Sequence, residues 1–375
     1  MPSQPLCPLI SKLALVLAIG VATPTAARAD APWLHTTTAS GIEVSLPWYF
    51  QAQWLRADAD RTPIPDGFGF RRVRIALEVE LPDHWAFKSE YDVESERWTD
   101  VNLDLALPVG VLRLGQYKMP LGLEETGSNR DELLLEGSLA NSLALARRLG
   151  AGWEWADARS SLRAAAFTRD LSRSDNGQGV AVRATWLPWL TEQGLVHLGS
   201  AVSFENPDAG QVRFNSRPEA GLARLRIVDT GMIDGVDGTW RASLEAGMLY
   251  GPWSAQAEII DATLKRAAGD LSFYGASGQV AWVLTGESRR YQRGLFRRVQ
   301  PEGRLGALEL AARYSTLDLD DREVGGGEVR NLTLGVNWFI TRDLRWSANW
   351  VDVRSERAGV ADDPQLLEVR VLAQF

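Results

Sequence analysis

Between Phe70 and Leu81 the chain alternates almost without a break. Val73, Ile75, Leu77, Val79 and Leu81 share one parity, and Arg72, Arg74, Ala76, Glu78 and Glu80 share the other. A period of two puts the two sets on opposite faces of a strand. After a Pro82-Asp83-His84 turn, Trp85, Phe87, Tyr91 and Val93 alternate with Lys88, Glu90, Asp92 and Glu94. The apolar faces carry few polar interruptions, while the opposite faces are densely charged. Such a strand suits an apolar medium on one side and water on the other. Sixteen segments of this kind can be placed, at 42–56, 68–81, 84–96, 99–107, 110–118, 150–156, 160–170, 178–188, 195–205, 239–250, 253–266, 271–285, 305–317, 328–340, 343–355 and 366–375. No segment past the N-terminus is long and apolar enough for a membrane helix, which needs roughly 20 residues. Strands that cross a membrane must close into a barrel, because an open edge cannot satisfy its backbone in lipid. The expected fold is therefore all-β, a 16-stranded antiparallel transmembrane β-barrel.

The two ends of the chain point to the same setting. Lys12, the apolar run Leu13–Ala22 and the small-x-small site Ala27-Arg28-Ala29 read as a signal peptide over 1–29, leaving 30–375 as the barrel domain. The single cysteine, Cys7, leaves with it, so the mature chain is expected to hold no disulfide or zinc–cysteine site. Loss of Lys12 and Arg28 takes the formal charge from −8 to −10, which argues against a nucleic-acid partner. At the other end Leu367, Val369, Val371, Ala373 and Phe375 alternate with Glu368, Arg370 and Gln374, with Leu372 as one lapse. Bacterial outer-membrane proteins characteristically end in such an aromatic strand, which the assembly machinery is expected to read through Phe375. Trp186, Trp189, Trp253 and Trp338 lie near strand ends, as in the aromatic girdles that contact outer-membrane lipid.

An even strand count puts both termini on the periplasmic side. Segment 218–228 would be a seventeenth strand and is placed in a loop instead. Tight turns then fall at 82–84, 108–109, 157–159, 251–252 and 341–342 on the periplasmic side. Longer connections at 57–67, 119–149, 206–238, 318–327 and 356–365 face outward. Residues 286–304 break the rule: they are long and basic, yet parity places them on the periplasmic side.

Several blocks resemble the phosphate-selective porin O and P family: Phe70-Arg71-Arg72-Val73-Arg74, Lys88-Ser89-Glu90-Tyr91-Asp92, Leu114-Gly115-Gln116-Tyr117-Lys118-Met119-Pro120, Arg147-Arg148-Leu149-Gly150, Leu284-Thr285-Gly286-Glu287-Ser288-Arg289-Arg290-Tyr291 and the strand Gly306–Ser315. Their order and spacing span almost the whole mature chain. The resemblance implies a homotrimeric anion-selective channel, with loops and one periplasmic turn folded inward. It also implies an arginine ladder leading to a lysine-assisted phosphate site. The long connection 286–304 matches that inward turn.

An anion crossing a membrane needs cationic donors at intervals, each weak enough to release it. Arginine suits phosphate because its planar fork matches the oxygens. Arg72 and Arg74 lie two apart on a lumen face, about 7 Å apart if extended. Arg224 and Arg226 repeat the spacing in the 206–238 loop, where the ladder role is what the resemblance implies. Lys118 and Arg147-Arg148 bracket the 119–149 loop, a length typical of a constriction. Ser138–Ala146 could form a short helix against the inner wall. Arg289, Arg290 and Arg293 lie in the inward turn. A blander role competes for Arg72 and Arg74, which could pair across the wall with Glu78, Glu80, Glu90 and Asp92. Lys118 could equally be a rim lysine. The acidic residues Glu124, Glu125, Asp131, Glu132 and Glu136 would oppose anions if they faced the pore.

His35, His84 and His197 show no metal spacing, and no nucleophile elbow or phosphate-cradling loop is present. The chain is expected to be no enzyme, with no metal or cofactor. The functional expectation is passive, anion-favouring diffusion across the outer membrane, with phosphate or polyphosphate as leading solute and an arginine-lined pore. Two alternatives stand beside it: a general or other-solute porin without a phosphate site, and an exported soluble β-sheet protein that binds glycans.

Overall fold

The computed structural model describes residues 34–172 and 177–375; the signal-peptide reading over 1–29 lies outside them. Sixteen strands form one closed antiparallel barrel, numbered here β1 to β16. They are Trp48–Asp58, Gly67–Leu81, Trp85–Asp92, Arg97–Ala106, Val111–Lys118, Arg147–Ala156, Ser160–Phe167 and Gln178–Leu190 (β1–β8). Gly194–Asn206, Val236–Tyr250, Trp253–Arg266, Leu271–Val283, Ala307–Asp321, Val324–Phe339, Leu344–Arg357 and Gln365–Gln374 follow (β9–β16). All sixteen expected segments are present. Each strand pairs with its sequence neighbour, and β16 closes on β1 with Gln374 opposite Tyr49 and Gln365 opposite Asp58. Trp48 and Phe375 exchange backbone hydrogen bonds of 3.0 and 2.9 Å, and their rings lie 4.5 Å apart.

The differences from expectation sit at strand ends. The first segment, 42–56, is split by Pro47, which has no N–H to give. Glu43–Ser45 and Trp48–Asp58 pair separately with β2, and His35–Thr37 adds to the former as a short hairpin. Residues 318–327 are not a long connection. β13 and β14 run on through a bulge at Asp318/Asp320 to a tight turn at Arg322-Glu323. Above the membrane there is no lipid face, so the apolar parity that marks a strand stops before the strand does. Residues 356–365 likewise keep pairing, Val360–Ala361 against Glu356–Arg357. Segment 218–228 lies in a loop, and only its last residue, Val228, enters a two-residue ladder, opposite Ser216. Leu372 is no lapse: it is buried at the inward parity it shares with Glu368 and Arg370.

Outward positions carry the apolar band. Trp186, Trp189, Trp253 and Trp338 are exposed at one end of it, and Trp253 stacks on its cross-strand partner Trp282 at 5.1 Å. An exposed apolar belt with tryptophan at its margin is what lipid stabilises.

Inside, the barrel is filled unevenly. The loop L3 (119–146) turns inward with a short helix, Leu123–Thr126, and a 3₁₀ turn, Leu139–Leu143, within the expected Ser138–Ala146 stretch. Its Met119, Leu121, Leu139, Leu143 and Leu145 are buried against Ile260, Leu264, Phe273 and Leu317 of β11–β13. The loop L5 (207–235) covers the same wall with Phe214, Ala223 and Ile227. From the opposite end, residues 284–306 send a hairpin, Arg289–Gln292 with Leu295–Val299, into the barrel. This is the inward turn that parity placed on the wrong side for its length. Its Phe296 and Tyr291 pack on Leu187, Leu195 and Leu249.

Candidate functional site

L3 is held by arginines reaching in from the wall. The Glu136 carboxylate accepts from Arg71 at 2.9 and 2.8 Å and pairs with Arg370. Arg313 donates to the Glu136 carbonyl at 2.8 Å and to Glu124 at 2.7 Å. Arg345 and Asn337 donate to the carbonyls of Glu132 and Leu133 at 3.1 and 2.8 Å. L5 adds Glu219, which accepts from the Leu139 N–H at 3.0 Å and from Thr333 at 2.8 Å. Burial opposes ionisation of Glu136, but Arg71, Arg370 and Arg72 together hold it far below the usual carboxylate range. Burial pushes Glu132 and Glu219 up, with Arg72 and Arg313, respectively, the main opposing charges.

The hairpin is docked as firmly. Arg183 donates to the Gly294 carbonyl at 2.8 Å while it pairs with Glu245 at 2.7 Å, and His197 meets the Tyr291 hydroxyl at 2.7 Å. Arg297 of the hairpin pairs with Asp131 of L3 at 3.0 Å, so the two inward segments touch.

A cavity of about 470 Å³ stays open against β1–β7. Nine cationic side chains line it (Arg74, Lys88, Arg113, Lys118, Arg130, Arg147, Arg163, Arg293 and Arg297) and six carboxylates (Glu78, Glu80, Glu90, Asp100, Asp104 and Glu154). The chain is acidic overall, at −8, yet this lining is cationic. Residues 126–130 are what L3 contributes to the lining. None of its five carboxylates lines the cavity among the described residues: Glu124 faces Arg313, Glu125 Lys118, Asp131 Arg297 and Glu136 Arg71, while Glu132 accepts from Asn129 at 2.7 Å.

The sequence-derived residues separate into groups. Arg74, Lys118, Arg147 and Arg293 line the cavity. Arg74 is also paired across the wall, with Asp92 at 2.9 Å and Glu90 at 3.1 Å, as the blander reading had it. Arg147 pairs with Asp100 at 2.7 Å. Lys118 sits inside although its parity within a strand of this length points outward. The backbone takes a φ of 121° at Gly115, and past it Tyr117 and Lys118 both line the lumen. Lys118 donates to the Gly127 carbonyl at 2.7 Å. Arg72 is buried and donates to Gln51 at 2.8 Å. Arg148 pairs with buried Glu205 at 3.2 Å. Arg289 pairs with Glu309 at 2.7 Å and donates to the Asp131 carbonyl at 3.1 Å, clamping the hairpin to wall and L3. Arg290 lines a recess at the turn end with Glu302 and Arg304. Arg224 and Arg226 are exposed on L5, outside the cavity, and their charges bear on Arg217, as does that of Arg71.

Lys88, Arg113 and Arg163 also line it, at inward parity on β3, β5 and β7, and Arg297 enters with the hairpin. Arg130 had no sequence signal, because its place depends on the fold of L3.

A closed 16-stranded barrel with an aromatic margin and a charged lumen narrowed by an inward loop defines an outer-membrane porin. Residues 37–375 match the model of the family phosphate-selective porin O and P, and the chain belongs to that family. Porin O of Pseudomonas aeruginosa is 26% identical, over 86% of this chain and 85% of that protein. An uncharacterized protein of Caulobacter vibrioides is 26% identical over 79% of this chain, which spans 65% of that relative's length. Among solved structures, OmpT of Vibrio cholerae gives a TM-score of 0.59 at 10% identity, covering 91% of this chain and 100% of that one. The anion-selective porin of Comamonas acidovorans gives 0.56 at 12%, covering 89% and 100%. At these identities the structural likeness speaks for the fold. Family and fold are those of a channel.

Proposed function

We propose that the chain is a passive, anion-favouring porin, with phosphate or polyphosphate as leading solute. One observation carries this: a lumen with nine cations against six carboxylates in a chain whose net charge is −8. In a narrow low-dielectric passage such an excess lowers the barrier for anions. The family, and the anion selectivity of the Comamonas porin that shares this fold, support the same reading. The mechanism is electrostatic, with no covalent step. Arg224 and Arg226 would gather anions at the mouth, and Arg74, Lys118, Arg147 and Arg293 would pass them on. Arg72, Arg148, Arg289 and Arg290 would contribute to the field.

The second reading is a general porin without a phosphate site. Favouring it, seven of the nine lining cations already have a carboxylate within 4 Å. A planar-bilayer recording separates the two. Reversal potentials in a salt gradient should show anion preference, and cation preference sinks it. Millimolar phosphate should block chloride current if a binding site exists; absence of block leaves the general porin. Arg224→Ala with Arg226→Ala should reduce the preference, and an unchanged reversal potential removes those residues from the path.

The same reading includes export by cleavage after Ala29, recognition of the Phe375 strand by the assembly machinery, and a homotrimer. Protein sequencing of the mature N-terminus and migration of unheated protein on SDS gels test the first and last.

A further inference from the structure

Two of the nine lining cations, Arg130 and Arg293, have no carboxylate partner among the described residues. They are the charges a passing anion meets undiminished. Arg130 belongs to the stretch of L3 that lines the cavity, and its guanidinium lies over the ring of Tyr49, 5.4 Å from the centroid. Tyr49 is on β1, directly across the ladder from Arg74, whose guanidinium lies over the same ring at 5.6 Å. Both distances fall within the range at which a ring quadrupole attracts a cation. The two arginines differ in one respect. Arg74 is neutralised by Asp92 and Glu90, whereas Arg130 makes its charged contact with the ring face. Tyr49 is almost fully buried, and its hydroxyl has no hydrogen-bond partner. The ring, rather than the hydroxyl, is what the surroundings use.

We propose that Tyr49 is a positioning residue of the anion path: its ring holds Arg130 over the lumen and away from the wall carboxylates. This rests on the anion-favouring reading above. Glu78, Glu80 and Glu90 line the same cavity. An Arg130 released from the ring can pair with one of them, which would cancel the charge it offers to a solute. A π face restrains a guanidinium without neutralising it, and a carboxylate does both. The arrangement therefore selects for anions by what it withholds from Arg130.

The test is the reversal potential of the full-length chain in planar bilayers, with wild type beside Tyr49→Leu, Tyr49→Phe, Arg130→Gln and Tyr49→Leu/Arg130→Gln. Tyr49→Leu and Arg130→Gln should each lower the anion-to-cation permeability ratio several-fold, by similar amounts. The double variant should lose no more than either alone, because the two residues act as one unit. Tyr49→Phe, which keeps the ring, should retain the preference that Tyr49→Leu loses. A Tyr49→Leu channel as selective as wild type overturns the proposal, as do additive losses. A Tyr49→Phe channel as impaired as Tyr49→Leu overturns it too, since that assigns the effect to the hydroxyl. Where Tyr49→Leu fails to assemble, Arg130→Gln decides: unchanged selectivity overturns the proposal. Cation preference in the wild type overturns the porin's anion reading and this proposal together; anion preference with inert variants overturns this proposal alone.

Discussion

The two sides of the barrel interior obey different rules. On β2–β7 the inward positions are charged and wet, with Arg74, Lys88, Asp104 and Arg113 lining the cavity. On β11–β16, toward the loop end, they are apolar: Ile260, Leu264, Phe273, Leu317, Val329, Val351 and Leu366 are buried beneath L3 and L5. The outward parity is apolar on both sides, since both face the same lipid. The difference shows that one wall of a porin serves as a dry seat. L3 is pressed onto that seat, and the passage is displaced against the opposite, charged wall. Selectivity is thus set partly by residues that never meet a solute.

The most severe way to break this contrast is to cut the ionic anchor of the seat. Glu136→Ala leaves Arg370, which is fully buried, without its carboxylate. Removing one partner of a buried pair costs about 3–5 kcal/mol. The folded form should lose its resistance to heating in SDS at a lower temperature, and single-channel current should become larger and noisier as L3 loosens. A quiet channel of wild-type conductance would show that apolar contacts alone hold L3.

Next comes the apolar part. Leu139 and Leu143 have no exposed surface. Truncating such a leucine to alanine costs about 2–5 kcal/mol, depending on how far the site collapses. Leu143→Ala should lower the same unfolding temperature while leaving the reversal potential close to wild type, because no charge moves. A changed sign of selectivity would mean that L3 had shifted, and the two walls could then not be treated separately.

This asymmetry also explains what the sequence could disclose. Lipid imposes one rule on every outward residue, so all sixteen strands are legible from period two. Parity alone exposes 286–304 as anomalous. The interior has no single rule. Ile260, Leu264 and Phe273 are apolar at inward parity because a loop distant in sequence covers them, and nothing local to β11 or β12 announces that loop. The same holds for the site. Arg74, Lys118, Arg147 and Arg293 line the cavity, while Arg148 and Arg289 carry the same chemistry yet are buried on Glu205 and Glu309 outside it. An arginine's type says that it can bind an anion. Its availability depends on which carboxylate the fold brings near, as Glu124, Asp131 and Glu136 of L3 show by pairing with Arg313, Arg297 and Arg71.

On the wet wall the same kind of change should affect permeation and leave the fold nearly intact. Arg113 is partly exposed and pairs with Asp104 and, at 4.0 Å, with Glu154. Exposed pairs contribute about 0–1 kcal/mol. Arg113→Gln should leave the thermal behaviour within a degree or two of wild type, by the same magnitude, and lower the anion-to-cation permeability ratio. A large drop in stability with no change in permeation would reverse the roles assigned to the two walls.

The smallest effect expected is that of mild acid. Glu136 titrates below an ordinary carboxylate, since the opposition of burial is outweighed by Arg71, Arg370 and Arg72. A carboxylate with a depressed folded value gives a stabilisation that is fully present above its unfolded value, about 4.3 for Glu. That stabilisation is lost as pH falls through the lower folded value. Glu219, raised by burial, has the opposite sign: its seat is tightest at low pH and weakens as pH rises through the unfolded and then the folded value. Between neutrality and about pH 4.3 the Glu136 anchor should therefore hold and the Glu219 contact should not weaken. Conductance and current noise should stay flat over that range in the wild type. A rise in noise beginning near pH 5 to 6 would mean that a group other than these two carboxylates secures L3 to the dry wall.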